Sequence, residues 1–372
     1  MNEKNVIIGL GNCGTQIVKS IASDSKLMDD DNIKLFAIDS TMSSIDLDTI
    51  NRMTFIPIIS DEKSGSGRIR ERGSSMYKYH EEQGAFDEMY DVASKAKTPI
   101  IIVTSSAGGT GSGSIVPLCY SLTKKGIHVV PIIVCPSMSD PDAYHLNTND
   151  LMVELNDVGV ETYSIFRNDD SRGADYSKIN SEIVKLIEII LGKRYDETTL
   201  DSIDDSDLDV ILNTPGRFIA VDVETDNIET LKKELTRRVF SGYQPAWSIE
   251  DGKSHTLMTA FSLKSMFAKQ DFKEVFSEIN ARIFNRFDEY RNIVDNDNTG
   301  RVTATVIIAG LPRHELKMID TEYVEPDSIG AGVNRSKRPG FLNKKKAVII
   351  TDSGEVKDKN GGASVINKFG WK

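Results

Sequence analysis

The sequence predicts an α/β fold: a Rossmann-like parallel-sheet domain, a central helix, and a second, smaller α/β domain. Three observations carry this. Two apolar runs, residues 6–8 and 100–103, each open into a glycine-rich loop followed by an apolar helical pattern, as strand, turn and helix do in an open parallel sheet. Ile179, Ile183, Val184, Ile187, Ile190 and Leu191 repeat at the helical period, so residues 174–191 read as a central buried helix. After Pro215 and Gly216, strand patterns (218–223, 256–263, 301–308) alternate with helical ones (228–240, 272–293) and no further glycine loop occurs.

The loop after Ile100–Val103 is the most informative stretch. Gly108, Gly109, Gly111 and Gly113 remove side chains that would hold backbone N–H groups away from an anion, and Thr110, Ser112 and Ser114 add hydroxyls. A helix starting near Ser114 would point its free N–H groups and positive dipole end into the same space. A flexible linker is the alternative reading, but the loop lies between an Ile/Val run and the apolar helix of Ile115, Val116, Leu118 and Leu122. No Lys follows in a GxxxxGK[ST] arrangement, so phosphate charge falls to backbone dipoles and a metal.

The first loop carries Gly9, Gly11 and Gly14 in a GxGxxG pattern, and the next apolar run ends in Asp39, where a dinucleotide site places its ribose-binding acid. An NAD(P)-dependent oxidoreductase is therefore a competing reading. A dinucleotide fold needs one such turn, whereas two clusters about a hundred residues apart suggest strand ends converging on one polyphosphate.

The segments Gly11-Asn12-Cys13-Gly14-Thr15-Gln16 and Ala107-Gly108-Gly109-Thr110-Gly111-Ser112-Gly113 resemble the first nucleotide loop and the GGGTGSG signature of the tubulin/FtsZ superfamily, with Ala107 in place of its first Gly. The resemblance covers about residues 5–311 and implies binding of GTP with Mg²⁺. By the same resemblance Asp39 and Thr41 end the strand on the metal side, with no metal ligand assigned, and the loop with Gly65, Gly67 and Arg68 senses the terminal phosphate. Arg68 departs from the family; it reads as a cationic phosphate contact or as a solvated surface side chain. The resemblance also places Asn168, Tyr176 and Asn180 at the family's base-contacting positions. Residues four apart share a helix face, so Tyr176 and Asn180 can meet one flat base by stacking and hydrogen bonding.

Asp201, Asp204, Asp205, Asp207 and Asp209 form an acidic loop. A solvated loop is the ordinary reading; in the resemblance this loop enters the neighbouring subunit's site, with Asp204 and Asp207 orienting the attacking water and Asp205 or Asp209 as alternatives. Phosphoryl transfer to water needs positioning and charge neutralisation more than covalent help, so a carboxylate and Mg²⁺ beside N–H donors suffice. The activity that the resemblance implies is assembly-stimulated GTP hydrolysis.

Composition sets the remaining bounds. The 372 residues carry a net charge of −11, and residues 331–372 alone carry +7, a basic arm on an acidic body. Arg335, Lys337, Arg338 and Lys344-Lys345-Lys346 suit nucleic acid, an acidic partner or a neighbouring subunit, or simply solubilise; residues 347–357 suggest a hairpin, and Phe369 and Trp371 suggest docking anchors. Three scattered cysteines, Cys13, Cys119 and Cys135, show no metal or disulfide spacing. The uncharged residues 98–123 are long enough for a membrane span but too rich in Gly and Ser, and no signal peptide is evident, so a cytoplasmic location in a bacterial host is expected. Within the superfamily the chain most resembles the TubZ group of plasmid and phage proteins. That likeness implies domains at 1–173, 174–200, 201–215, 216–320 and a tail at 321–372. It further implies head-to-tail filaments that move DNA through a TubR-like adaptor on centromere-like DNA, with no membrane. A nucleotide-binding scaffold without turnover is the third reading.

Overall fold

The computed structural model describes residues 4–24, 26–29, 32–41, 51–59, 65–137, 139–168, 176–191, 205–241, 257–265, 287–295, 302–311, 349–350 and 356–357. Six parallel strands, β1 (Lys4–Leu10), β2 (Ile33–Asp39), β3 (Thr54–Pro57), β4 (Ala96–Ser105), β5 (Val129–Cys135) and β6 (Thr162–Arg167), lie in the order β3-β2-β1-β4-β5-β6. This is the doubly wound order of dinucleotide-binding sheets, whose direction of winding reverses between β1 and β4.

The apolar runs are continuous because both faces are covered. Ile7, Ile101 and Val103 point to one face, where they join Ile17 and Val18 of α1 (Gly11–Asp24) and Ile183 and Ile187 of α6 (Ser177–Ile190). Val6, Ile8, Ile100 and Ile102 point to the other, where Met76 of α2 (Arg70–Glu82), Met89 of α3 (Asp87–Ser94), Ile115 of α4 (Thr110–Thr123) and Leu151 of α5 (Asp142–Asp157) close a second core. The two-residue period of each strand divides its side chains between two helical layers.

The sheet continues past β6. Thr162 and Tyr163 pair with Gly216 and Arg217 of β7 (Gly216–Thr225), and the order runs on through β10 (Val302–Leu311), β8 (Leu257–Ser265) and β9 (Phe287–Asp295), ten strands in all. β10 is antiparallel to both neighbours, while β9 is parallel to β8. Helices α7 (Asp205–Asn213) and α8 (Ile228–Ser241) flank β7 in sequence. Residues 1–320 form one compact unit; in the second unit, residues 321–372, β11 (Ile349–Ile350) and β12 (Val356–Lys357) make the expected antiparallel hairpin. No helix among the described residues is long and apolar enough to cross a membrane.

Three expectations need correction. The helix after the second glycine loop begins at Thr110, not near Ser114, because Gly111 and Gly113 let its first turn sit against Leu10 and Arg70 without steric conflict. Residues 287–293, expected in a long helix, are strand: Phe287, Tyr290 and Ile293 have helical spacing, but a nine-pair ladder with β8 overrides it. The rest of that predicted helix lies outside the described residues. The acidic segment is not loop throughout, since Asp205, Asp207 and Asp209 belong to α7, where Leu208, Ile211 and Leu212 bury one face. Acids in a first turn also suit the positive end of the helix dipole.

Ile183 is fully buried between α1 and the sheet face. Ile183→Ala should destabilise the protein by about 2–5 kcal/mol, read as a lower urea midpoint.

Candidate functional site

The two glycine loops form one structure. α1 begins at Gly11 directly after β1, and α4 begins at Thr110 just beyond β4, on adjacent strands at the point where winding reverses. A Cβ on Gly11 would lie 2.8 Å from the Gly111 nitrogen, and one on Gly111 would lie 2.7 Å from the Leu10 carbonyl oxygen. Gly11 is also left-handed, at φ +65°. With no side chain between them, two helix N-termini open onto the same space. Each can contribute up to about 2 kcal/mol toward a partly buried anion, so an anion held here would need no Walker lysine.

The space is a cavity of about 490 Å³. Gly11, Asn12, Cys13 and Gln16 line it from the first loop, and Gly108, Gly109, Thr110 and Gly111 from the second. Asp39 and Gly65 line it beyond β2 and β3, while Asn168, Tyr176 and Asn180 do so beyond β6. The sequence-predicted residues are thus largely brought together. Two are not lining residues: Gly67 turns the 65–68 loop at φ +63°, and Ser112 is buried in α4, its hydroxyl donating to the Gly108 carbonyl. Asp204 lies outside the described residues, and Asp207 is placed only on the backbone of α7.

Hydroxyls tie the glycine-turn end of the cavity together. Ser40 Oγ and Thr110 Oγ1 share a hydrogen bond of 2.7 Å, and Thr110 Oγ1 donates to Ser66 Oγ at 3.0 Å. Asp39 accepts from the Ser40 N–H at 2.7 Å and from the Thr41 hydroxyl at 3.2 Å. Burial pushes its carboxyl above the ordinary carboxylate range, opposed by those hydrogen bonds. Burial likewise pushes the Cys13 thiol up to about 12, so it stays neutral at pH 7 and is no thiolate nucleophile. At the other end Tyr176 is 54% exposed, which leaves it accessible for stacking.

Sequence reasoning missed Asp140 and Tyr144, which follow β5 and line the same cavity. The available signal was positional: β5 neighbours β4, so its carboxyl end opens onto the same crevice. The Asp140 carboxylate accepts from the Ser137 N–H at 2.7 Å, which fixes the bend after β5. No group of three or more His, Cys, Asp or Glu residues gathers among the described residues. A divalent ion here would take its oxygens mainly from a ligand's phosphates and water, the habit of Mg²⁺, and the buried Asp39 fits that donor set.

Two variants separate cradle from scaffold. A Cβ at Gly108 meets nothing within 4 Å, whereas at Gly111 it meets Thr104 Oγ1 at 2.4 Å. Gly108→Ala should keep the melting temperature and lose nucleotide affinity; Gly111→Ala should lower the melting temperature itself, both read by differential scanning fluorimetry with and without ligand. Asp39 makes a pH-dependent prediction. Its folded-state pKa is raised, so its contribution to stability is present below the ordinary carboxylate range and lost as pH rises through the folded value. Ligand-free Asp39→Asn should therefore melt about 2 °C or more above wild type at pH 8, with the gap closing as pH falls toward the acid range.

A family described as tubulin like matches residues 56–320. Among solved structures, the chain is similar in fold to CetZ2 from Haloferax volcanii, a GTPγS-bound protofilament, with TM-score 0.65 and 16% identity over 84% of this chain and 94% of that one. It is similar to a GTPγS-form protofilament of TubZ from Bacillus thuringiensis serovar israelensis, with TM-score 0.64 and 16% identity over 85% and 91%. An FtsZ dimer of M. jannaschii gives TM-score 0.61 and 14% identity over 85% and 91%. No curated protein sequence matches. The family match spans well over half of the chain and includes the second glycine turn, so the chain belongs to the tubulin-like family.

Proposed function

We propose that this protein is a GTPase that polymerises head to tail and hydrolyses GTP at the contact between subunits. One observation carries the reading: two helix N-termini converge on a single cavity whose far end holds Tyr176, Asn168 and Asn180. A dinucleotide site uses one glycine turn; here the second abuts the first, backbone to backbone, so both serve one ligand. The GTPγS-bound protofilaments of CetZ2 and TubZ support the same ligand and longitudinal self-association for this chain.

In this reading the N–H groups of Gly108 to Gly111 and of the first α1 turn neutralise the phosphates, and Tyr176 and the two asparagines select guanine. A Mg²⁺ ion bound with the nucleotide would supply charge neutralisation, and Asp39, one of the two carboxylates that line the cavity, would hold it. Asp204 and Asp207 of one subunit orient water toward the nucleotide of the next, so turnover follows assembly. The finer assignment is that of a TubZ-like segregation protein whose basic residues 331–372 engage a DNA-bound, TubR-like adaptor and thereby move plasmid or phage DNA.

The test is 90° light scattering with parallel phosphate release after adding GTP and Mg²⁺, with GDP and NAD as controls. A GTP-specific rise that decays as phosphate accumulates is the expected result; no response to GTP contradicts it. Replacing Asp204 and Asp207 together by Ala should reduce phosphate release by at least about a hundredfold, with GTP binding kept and the scattering plateau prolonged.

A further inference from the structure

We propose that Arg68 sets the preference of this cavity for a triphosphate over a diphosphate by engaging the terminal phosphate. The assignment rests on the nucleotide reading above and adds to it the residue that senses ligand state. Arg68 is the single Lys or Arg among the described residues that line the cavity, where the other charged side chains are Asp39 and Asp140. A ligand whose charge grows with each phosphate meets one cation there.

The backbone marks the same residue. Arg68 has φ +65°, the one non-glycine residue with positive φ among those described, and it follows Gly65 at φ +82° and Gly67 at φ +63°. An L side chain in this region is strained, and such strain persists where the surroundings fix it and the side chain has a use. The fixing groups are identifiable. A Cβ on Gly109 would lie 2.8 Å from the Arg68 carbonyl carbon, so Arg68 backs onto the anion turn itself. Asn147 of α5 donates to the carbonyl oxygens of Ala107, at 3.0 Å, and of Arg68, at 3.4 Å, binding the two loops together.

Position then identifies which phosphate is met. The base end lies beyond β6, whereas the 65–68 loop follows β3 on the opposite flank of the sheet, so a polyphosphate laid across the two glycine turns leads with its last phosphate. The Arg68 side chain runs from that loop toward α5, where its guanidinium carbon sits 5.0 Å from the centroid of the Tyr144 ring. Both Arg68 and Tyr144 line the cavity beside Gly108 to Gly111. Stacking on an aromatic ring is weaker than charge-assisted bonding to phosphate, so a terminal phosphate takes the guanidinium and a diphosphate leaves it on Tyr144.

The experiment compares the affinities of GTPγS and GDP by calorimetry for wild type, Arg68→Gln, Arg68→Lys and Arg68→Gly. Arg68→Gln should lose roughly tenfold or more in GTPγS affinity with less than about a twofold change for GDP, and Arg68→Lys should retain part of the preference because it keeps charge without the planar fork. Arg68→Gly, which relieves the left-handed strain and so preserves the fold, should lose the preference as fully as Arg68→Gln. Equal losses for both nucleotides, or a preference kept in Arg68→Gly, overturn the assignment. Wild-type protein that binds neither guanine nucleotide overturns the proposed function instead. The role of Arg68 is then decided with inorganic triphosphate against pyrophosphate: loss confined to triphosphate in Arg68→Gln sustains it, and parallel behaviour or no binding overturns it.

Discussion

Gly11 and Gly111 bring two backbones together more closely than any side chain would permit. The contact follows from topology. α1 packs on one face of the sheet and α4 on the other, and the reversal of strand order between β1 and β4 is what places their first turns side by side. Had the two helices covered the same face, their diameters would hold their axes about 8–10 Å apart. Crossing from one face to the other lets their N-termini share one anion.

That junction dictates the packing around it. Gly14 tucks α1 against the Val103 carbonyl of β4, where a Cβ would come within 2.3 Å, and Gly73 seats α2 on the Gly109 carbonyl, where one would come within 2.1 Å. Arg70 closes the outer side. It is 6% exposed, donates to the Ser112 carbonyl and pairs with Glu154 of α5 at 2.8 Å, joining three helices around the second glycine turn. Arg70 is the buried partner and Glu154 is half-exposed, so removing the Glu154 carboxylate would leave the buried guanidinium without its counter-charge. A rigid surround serves function, since backbone donors stabilise charge only when held in place beforehand.

Much of this was legible because it is repetitive. Apolar runs into glycine turns marked β1, β4 and their helices, whereas Tyr176 and Asn180 were assigned by the family resemblance, with which their helical spacing agrees. What stayed hidden depends on partners distant in sequence. The start of α4 at Thr110 is set by contacts with Leu10 and Arg70; β9 is set by its ladder with β8 against its own helical spacing; Asp140 and Tyr144 matter through the position of β5 in the sheet. In Leu208, Ile211 and Leu212 the helical period of α7 was present, but the surrounding aspartates masked it. The left-handed backbone of Arg68 has no local signal, because arginine seldom adopts it.

The central claim is that both glycine turns bind one guanine nucleotide. Hydrogen–deuterium exchange with and without GTPγS and Mg²⁺ tests it most directly, by following amides 9–16, 65–68 and 106–114 together. The account predicts that all three segments gain protection at the same nucleotide concentration. Protection confined to residues 9–16, or obtained with NAD and not with GTPγS, would contradict it.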